Sequence, residues 1–385
     1  MINIINMIAS EWIDAGTACA MLSVKPQTLY AYVSRGLLRA QADAGDARRS
    51  LYARSDVEVL LQQNRRPRAR AEIAEQAIRW GEPVLATAIS EVRDGMLWLR
   101  GLSIRQCAET FSLEEMAAHL WCVNNADFAA SDVLSTSADP IGRALETLAR
   151  QVPTAAAMHK RRSDDIAKEG GGMVSVVTNA LLGVAEGGPI HLRLARVWGT
   201  DADGTEDLRR ALVLLSDHEL NPSTFAVRIA ASTGAGLPAA LLSGLATLSG
   251  PRHGGVASLA RQALKAAQTG EMDAFLNRIG GQEPYGFGYG HPLYPDGDPR
   301  ARIILDHLPQ NAPSVAAVRL LSRQLDLPPN IDAALAALSI VRQLPEEAAL
   351  TIFAAGRVVG WIAHAIEQVE SGDIIRPRAR YRAKG

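Results

Sequence analysis

Cysteine, aromatic side chains and net charge are all scarce in this 385-residue chain, and each scarcity removes a class of protein. The three cysteines, Cys19, Cys107 and Cys122, form an odd set without metal-ligand spacing. That argues against a disulfide framework or a zinc module and fits a reducing compartment. Aromatics make up only 5% of the residues, and β-branched runs with period-two alternation hardly occur, so strand signals are few. The balance of 40 basic against 41 acidic side chains gives no global field to draw in nucleic acid or a membrane surface. The N-terminal stretch MINIINMIASEWIDAG has no basic leader and no long apolar run. We therefore expect no signal peptide, no membrane span and a cytoplasmic protein. What remains is alanine-rich sequence, 48% hydrophobic, suited to close-packed helices in a soluble chain long enough for two or three domains.

Against this background four side chains stand out: His218 in SDHELNPSTF, His253 in LSGPRHGGV, His291 in GFGYGHPLYPDGDPRA and Asp332 in PPNIDAAL. Each sits among Gly, Pro or Asn in a segment that reads as a turn or helix end, where side chains are aimed at ligands rather than buried. Blander roles exist: His218 could cap the helix expected at Asn221–Thr233, and Asp332 could be an N-cap acid. Further helices are expected at Pro140–Ala155, Ser175–Ala185, Glu206–Leu215 and Pro313–Leu325, with a loop at the glycine run Gly170–Gly172.

Six ordered segments carry a resemblance: Asp217–Phe225, Gly250–Gly255, Gly286–Ala301, Pro329–Asp332, Arg357–His364 and Arg376–Tyr381. Together with Asp94–Gly101 and Ser112–Trp121 they resemble the citrate synthase family, over roughly residues 82–385. The resemblance implies an all-α fold of a large and a small helical domain, the small one spanning roughly residues 227–330 and closing over the substrate. It implies a homodimer. It also implies a condensing enzyme that joins acetyl-CoA, or propionyl-CoA in a 2-methylcitrate synthase, to oxaloacetate, with coenzyme A entering as a thioester substrate and no tightly bound cofactor or metal.

By the same resemblance Asp332 is the base, His253 the donor to the thioester carbonyl and His291 the group that polarises the ketone. His218, Arg300, Arg357 and Arg376 would hold the substrate carboxylates, Arg376 by reaching the neighbouring subunit's site. Phe353 would line the site, and the backbone of Gly286, Phe287, Gly288, Tyr289 and Gly290 would receive the adenine of coenzyme A. The chain departs from the family at Val256-Ala257-Ser258, where A-N-E is usual, and at Ala333-Ala334-Leu335, where F-Y-S is common. The second change would enlarge the acyl pocket.

Residues 1–64 read differently. A helix at Thr17–Leu22, a turn at Ser23-Val24-Lys25 and a helix at Pro26–Arg35 closed by Gly36 precede a polar hairpin and a further helix with Ser55 as N-cap. This resembles a MerR- or excisionase-type winged helix-turn-helix, joined to the body by a charged linker at residues 65–81. Lys25, Gln27, Thr28 and Tyr30 would then face a DNA groove, and Arg48, Arg49 and Arg54 would meet phosphate from the wing. Residues 1–70 hold ten Lys/Arg against six Asp/Glu. That excess is modest for a DNA reader, and reuse of the module as a contact or regulatory domain stays open.

Overall fold

Two units, residues 1–86 and 87–385, divide the chain in the computed structural model, which describes residues 12–22, 24–34, 36–43, 45–46, 49–60, 84–280, 282–379 and 381. Among its described residues the first unit starts with strand β1 (Trp12–Asp14) and helix α1 (Ala15–Leu22). Helix α2 (Pro26–Ser34) follows after a short turn and is closed by Gly36 at φ +69°. An antiparallel pair, β2 (Ala40–Ala42) and β3 (Ser50–Ala53), completes a small sheet in which β3 lies between β1 and β2. Helix α3 is described over residues 54–60. It starts before Ser55, so Ser55 is not its N-cap. The unit closes around Ile13, Ala18, Leu22, Leu29, Leu38, Tyr52, Val57 and Leu60. The expected linker, residues 65–81, lies outside the described residues, as does Arg48.

Among the described residues the second unit is mainly helical, with one three-stranded antiparallel sheet: β4 (Ser90–Arg93), β5 (Met96–Leu99) and β6 (Leu102–Ser103). Asp94-Gly95 turns β4 into β5 with both residues at positive φ, 53° and 68°. The Asp-Gly pair is a hairpin signal in its own right, because such a turn needs two left-handed residues.

Helices α4 (Ile104–Thr110) and α5 (Leu113–Trp121) each start on a reciprocal cap, Ser103 with Gln106 and Ser112 with Glu115. Next come α6 (Pro140–Gln151), α7 (Ser163–Leu182), α8 (Ile190–Trp198), α9 (Ala202–Leu215), α10 (Pro222–Ser232) and α11 (Leu237–Leu248). The chain finishes with α12 (Val256–Thr269), α13 (Met272–Arg278), α14 (Pro299–His307), α15 (Pro313–Leu325), α16 (Ile331–Val341) and α17 (Ala348–Ser371).

Two expectations are corrected here. The helix expected at 140–155 ends at Gln151 and tightens into a 3-10 turn, Val152–Thr154. The glycine run Gly170–Gly172 is no loop but the middle of α7. Two of its glycines are there for space: a Cβ on Gly170 would come within 2.8 Å of Ile362, and one on Gly171 would overlap the Asp127 carbonyl oxygen. Tertiary proximity overrides the low helix propensity of glycine.

Helix α17 organises the body. Its most apolar stretch is long enough to span a membrane, yet 94% of that window is buried, which marks a core helix. It packs against α7, α9, α10, α11 and α5. Glycines let α9 approach closely: a Cβ on Gly356 would lie 2.7 Å from the Leu212 carbonyl, and one on Gly360 would lie 2.7 Å from Asp217 Oδ1. That approach puts the C-terminal end of α9 and the turn after it against Arg357 and His364.

Candidate active site

The turn that follows α9 carries Asp217 and His218, and it is held from three sides. Asp217, fully buried, takes a hydrogen bond from the Ser90 hydroxyl at 2.5 Å and lies 3.1 Å from His364 Nε2 on α17. Burial works to raise the Asp217 carboxyl, but His364, Arg357 and the Ser90 bond together keep it below the usual carboxylate range. Glu219 adopts φ +49°, a left-handed conformation costly for a non-glycine residue, and its backbone N–H is secured by Ser90 and Asp217. His218 is thereby turned inward, with Nε2 2.9 Å from the Tyr294 hydroxyl. It does not cap α10, whose N-cap is Asn221.

His253 occupies a turn between α11 and α12, with Nε2 2.9 Å from the Ser223 hydroxyl in the first turn of α10. That hydroxyl lies 2.7 Å from Asn221 Oδ1 as well, and it accepts from the Trp361 indole; when its single proton is given to His253 Nε2, the neutral ring carries its own proton on Nδ1. The Phe353 ring stands edge-on to His253 with centroids 5.8 Å apart, while the Arg357 guanidinium lies 4.8 Å from the Phe353 ring centre. Phe353 and Arg357, one helical turn apart on α17, therefore present one face.

His291 accepts at Nδ1 from the Leu293 backbone N–H, so its neutral ring carries the proton on Nε2. Its ring stands 5.2 Å from that of His218 and 4.9 Å from that of Tyr294. All three histidines stay neutral at physiological pH. Burial, with Arg357 adding to it, takes His253 down to about 4; burial and Arg300 take His291 to about 4; burial, Arg300 and His291 push His218 well below its ordinary value.

Asp332 lies in the first turn of α16, and the N-cap there is Asn330, whose side chain accepts from the Asp332 backbone N–H. The carboxylate is thus left for other work. Its Oδ1 is buried without a hydrogen-bond partner. Burial raises the group to about 7, with Asp298 pushing the same way and Arg300 and Arg357 opposing. Such a carboxylate is poised to take up and release a proton near neutrality.

Two arginines complete the floor. Arg357 gives Nε–H to the Leu215 carbonyl, while its Nη2 is buried without a partner. Burial lowers it to about 10, so it remains a cation awaiting an anion. Arg300 is already engaged: Asp298 accepts from its Nε and Nη2 at 3.0 and 2.8 Å and also takes the Ile331 backbone N–H. Asp298, the N-cap of α14, therefore ties α14 to the start of α16.

The glycine-rich loop is stitched to the same place. Asn330 N–H donates to Gly288 O, Asn330 Nδ2 to Gly290 O, Gln282 Nε2 to Gly286 O, and Gly290 N–H to Pro328 O. Phe287 and Tyr289 point into the core. Gly288, at φ +105°, presses on Ala333, where a Cβ would lie 3.0 Å from the alanine's own. The loop therefore packs closely on the small side chain of Ala333.

The structure brings together His218, His253, His291, Asp332, Arg300, Arg357 and Phe353. Arg376 is exposed in the tail beyond α17. From Arg357 to Ser371 the helix climbs about 21 Å, so the tail starts well away from this cluster. Lys25, Gln27, Thr28 and Tyr30 are exposed on the first unit. Arg49 is exposed with Asp46 3.6 Å away, and Arg54 has Glu58 at 4.0 Å. Sequence reading passed over Tyr294, Asp298, Ser223 and Asp217. All four lie inside the quoted motifs, but nothing in the local pattern shows that they contact the histidines and arginines.

Fold and site together define a helical protein with a buried, proton-exchanging carboxyl group among neutral imidazoles and two buried arginines. A sequence profile described as "Citrate synthase, C-terminal domain" matches residues 123–378. The chain belongs to the citrate synthase family. It is 37% identical over 192 residues to the citrate synthase of Haloferax volcanii, covering 46% of this chain and 50% of that one. It is 32% identical over 183 residues to the 2-methylcitrate synthase of Shewanella oneidensis, covering 44% and 48%. The matched region thus spans about half the length of these relatives. In fold it is similar to the citrate synthase of Thermoplasma acidophilum solved as a ternary complex with carboxymethyl coenzyme A and oxaloacetate, with a TM-score of 0.66, 22% identity and 79% and 94% of the two chains covered. The Thermotoga maritima citrate synthase gives a TM-score of 0.62 at 21% identity over 79% and 94%.

Proposed function

We propose that this protein is a condensing enzyme that joins acetyl-CoA, or a close acyl-CoA, to oxaloacetate and hydrolyses the thioester to give citrate and coenzyme A. The observation that carries the reading is Asp332: a buried carboxylate oxygen without a partner, raised to about 7, on a helix whose cap is supplied by another residue. A thioester methyl group is a weak carbon acid, so one carboxylate must take its proton while a donor holds the developing enolate oxygen. Asp332 takes the proton and neutral His253 is the donor. His291, with its proton on Nε2, polarises the ketone and stabilises the alkoxide formed by attack of the enol carbon. Arg357 neutralises a carboxylate of the second substrate, neutral His218 donates a hydrogen bond to it, and Arg300 adds its remaining donors. Coenzyme A arrives and leaves as substrate and product, and no tightly bound cofactor is required.

Propionyl-CoA in place of acetyl-CoA differs by one methylene, worth ~1–3 kcal/mol in a pocket, and would make the protein a 2-methylcitrate synthase. The test is release of thiol from acetyl-CoA and propionyl-CoA with oxaloacetate. Asp332→Asn keeps the shape and removes the base, so turnover should fall by ~10²–10⁴ while oxaloacetate binding persists. Undiminished thiol release by that variant would reject the assignment.

A second reading, a metabolite-sensing regulator working as a cytoplasmic homodimer, draws on the exposed side chains of Lys25, Gln27, Thr28 and Tyr30 around α2. The packed unit built on Leu29 and Tyr52 would present them to DNA as a winged helix-turn-helix does. A regulator has no use for a base at Asp332, which favours the enzyme.

A further inference from the structure

Tyr294 is 1% exposed and stands at the meeting point of the residues assigned above to the second substrate. Its hydroxyl is 2.9 Å from His218 Nε2, its ring lies 4.9 Å from that of His291, and the Arg300 guanidinium lies 5.7 Å from the ring centre. Its backbone N–H donates to the His291 carbonyl at 2.9 Å. One short turn therefore sets the His291 tautomer, through Leu293 N–H on Nδ1, and delivers the phenol to His218. Burial keeps the phenol neutral, leaving it a single proton to give. An imidazole nitrogen is a far better acceptor than a phenol oxygen, so the proton of this bond is supplied by tyrosine.

We propose that Tyr294 is a positioning residue of the site: its hydroxyl donates to His218 Nε2, fixes His218 as the Nδ1–H tautomer and holds it in register with His291, so that both imidazoles meet the oxo-dicarboxylate as one unit. The proposal rests on the condensing reading for the identity of that ligand. Neither composition nor spacing assigns this tyrosine a role, and the contact joins residues 76 positions apart.

The test is Tyr294→Phe, which deletes the hydroxyl and keeps the ring. KM for oxaloacetate should rise about two- to tenfold, the worth of one neutral hydrogen bond, while KM for the thioester stays put and the thermal midpoint falls only modestly. Calorimetric titration with oxaloacetate alone should show the same loss without any need for turnover. Unchanged oxaloacetate affinity, or an equal rise in both KM values, overturns the proposal. A wild-type protein that binds oxaloacetate but releases no thiol overturns the condensing reading only, and the titration of the variant still decides this one. Failure of the wild type to bind oxaloacetate overturns both. If Tyr294→Phe does not fold, the ¹⁵N imidazole spectrum of the wild type serves, with the His218 signal identified by its loss in His218→Gln. A proton on Nδ1 supports the assignment and a proton on Nε2 refutes it.

Discussion

At the scale of single residues, the site depends on groups whose ionisation is set by burial rather than by residue type. Asp332 raised to about 7 holds its proton below that pH and cannot act as a base there. The histidines impose no limit in the same range, because His253 and His291 are depressed to about 4 and remain neutral donors. The dependence of kcat/KM on pH should therefore show one rising limb with a midpoint near pH 7 and a slope of one proton, followed by a plateau. Thiol release measured from pH 5 to 9 checks this, and a flat profile down to pH 5 would mean an ordinary, solvated carboxylate. The motifs named Asp332, His218, His253, His291, Arg300 and Arg357 as a set. They did not show that Arg300 is held by its near neighbour Asp298 while Arg357, which gives Nε–H to the distant Leu215 carbonyl, is the cation with an unpartnered nitrogen, since burial and the packing of α9 on α17 decide which donors are covered.

Among the elements, α7 makes the clearest test of packing against propensity. Gly171 and Gly172 are neighbours in one helix and identical in chemistry, so local sequence cannot tell them apart. A Cβ on Gly172 meets nothing within 4 Å, whereas one on Gly171 runs into the Asp127 backbone. Gly172→Ala should stabilise the protein by about 0.4–1 kcal/mol through the unfolded chain's lost freedom. Gly171→Ala gains the same and loses more, with a net destabilisation of about 1–3 kcal/mol from overpacking against main chain that cannot step aside. Thermal or denaturant unfolding of the two variants should give opposite signs; equal signs would contradict the close approach of residues 126–128 to α7. Capping was easier to read. Asn221 and the proline-led starts of α6, α10 and α15 follow local rules, while the Asp-Gly hairpin between β4 and β5 carried a legible signal that a helix-minded reading missed.

For the whole molecule, the exposed tail around Arg376 bears on how many subunits make a site. If Arg376 serves the neighbouring subunit, mixing Arg376→Ala chains with Asp332→Asn chains should restore activity, because one hybrid site regains both groups. No recovery after mixing would mean either that the tail acts within its own subunit or that the subunits are not arranged as the resemblance implies. The division at residue 86 leads to a separate expectation. Deleting residues 1–70 should leave thiol release unchanged, since every assigned catalytic group lies beyond residue 200. A DNA-binding first unit would lose affinity log-linearly with salt, and a mobility shift on DNA from upstream of its own coding region, with and without oxaloacetate, measures that. No retarded complex at low salt would leave the unit a contact module.

By itself the amino-acid sequence determined the helical character of the body, the order of the three candidate histidines and Asp332, and the turn or helix-end setting of each. These depend on composition, on caps and on glycine and proline, all of which act within a few residues. Only the tertiary structure decided which glycines needed to be glycine, which arginine keeps an open donor, how far Asp332 is driven from its ordinary acidity and that Tyr294 braces His218. Those properties arise from burial and largely from partners far along the chain, such as Asp298 with Ile331 and Asp217 with His364. The energy of a charge or a hydroxyl depends on what excludes water around it, and that is settled only when the helices pack.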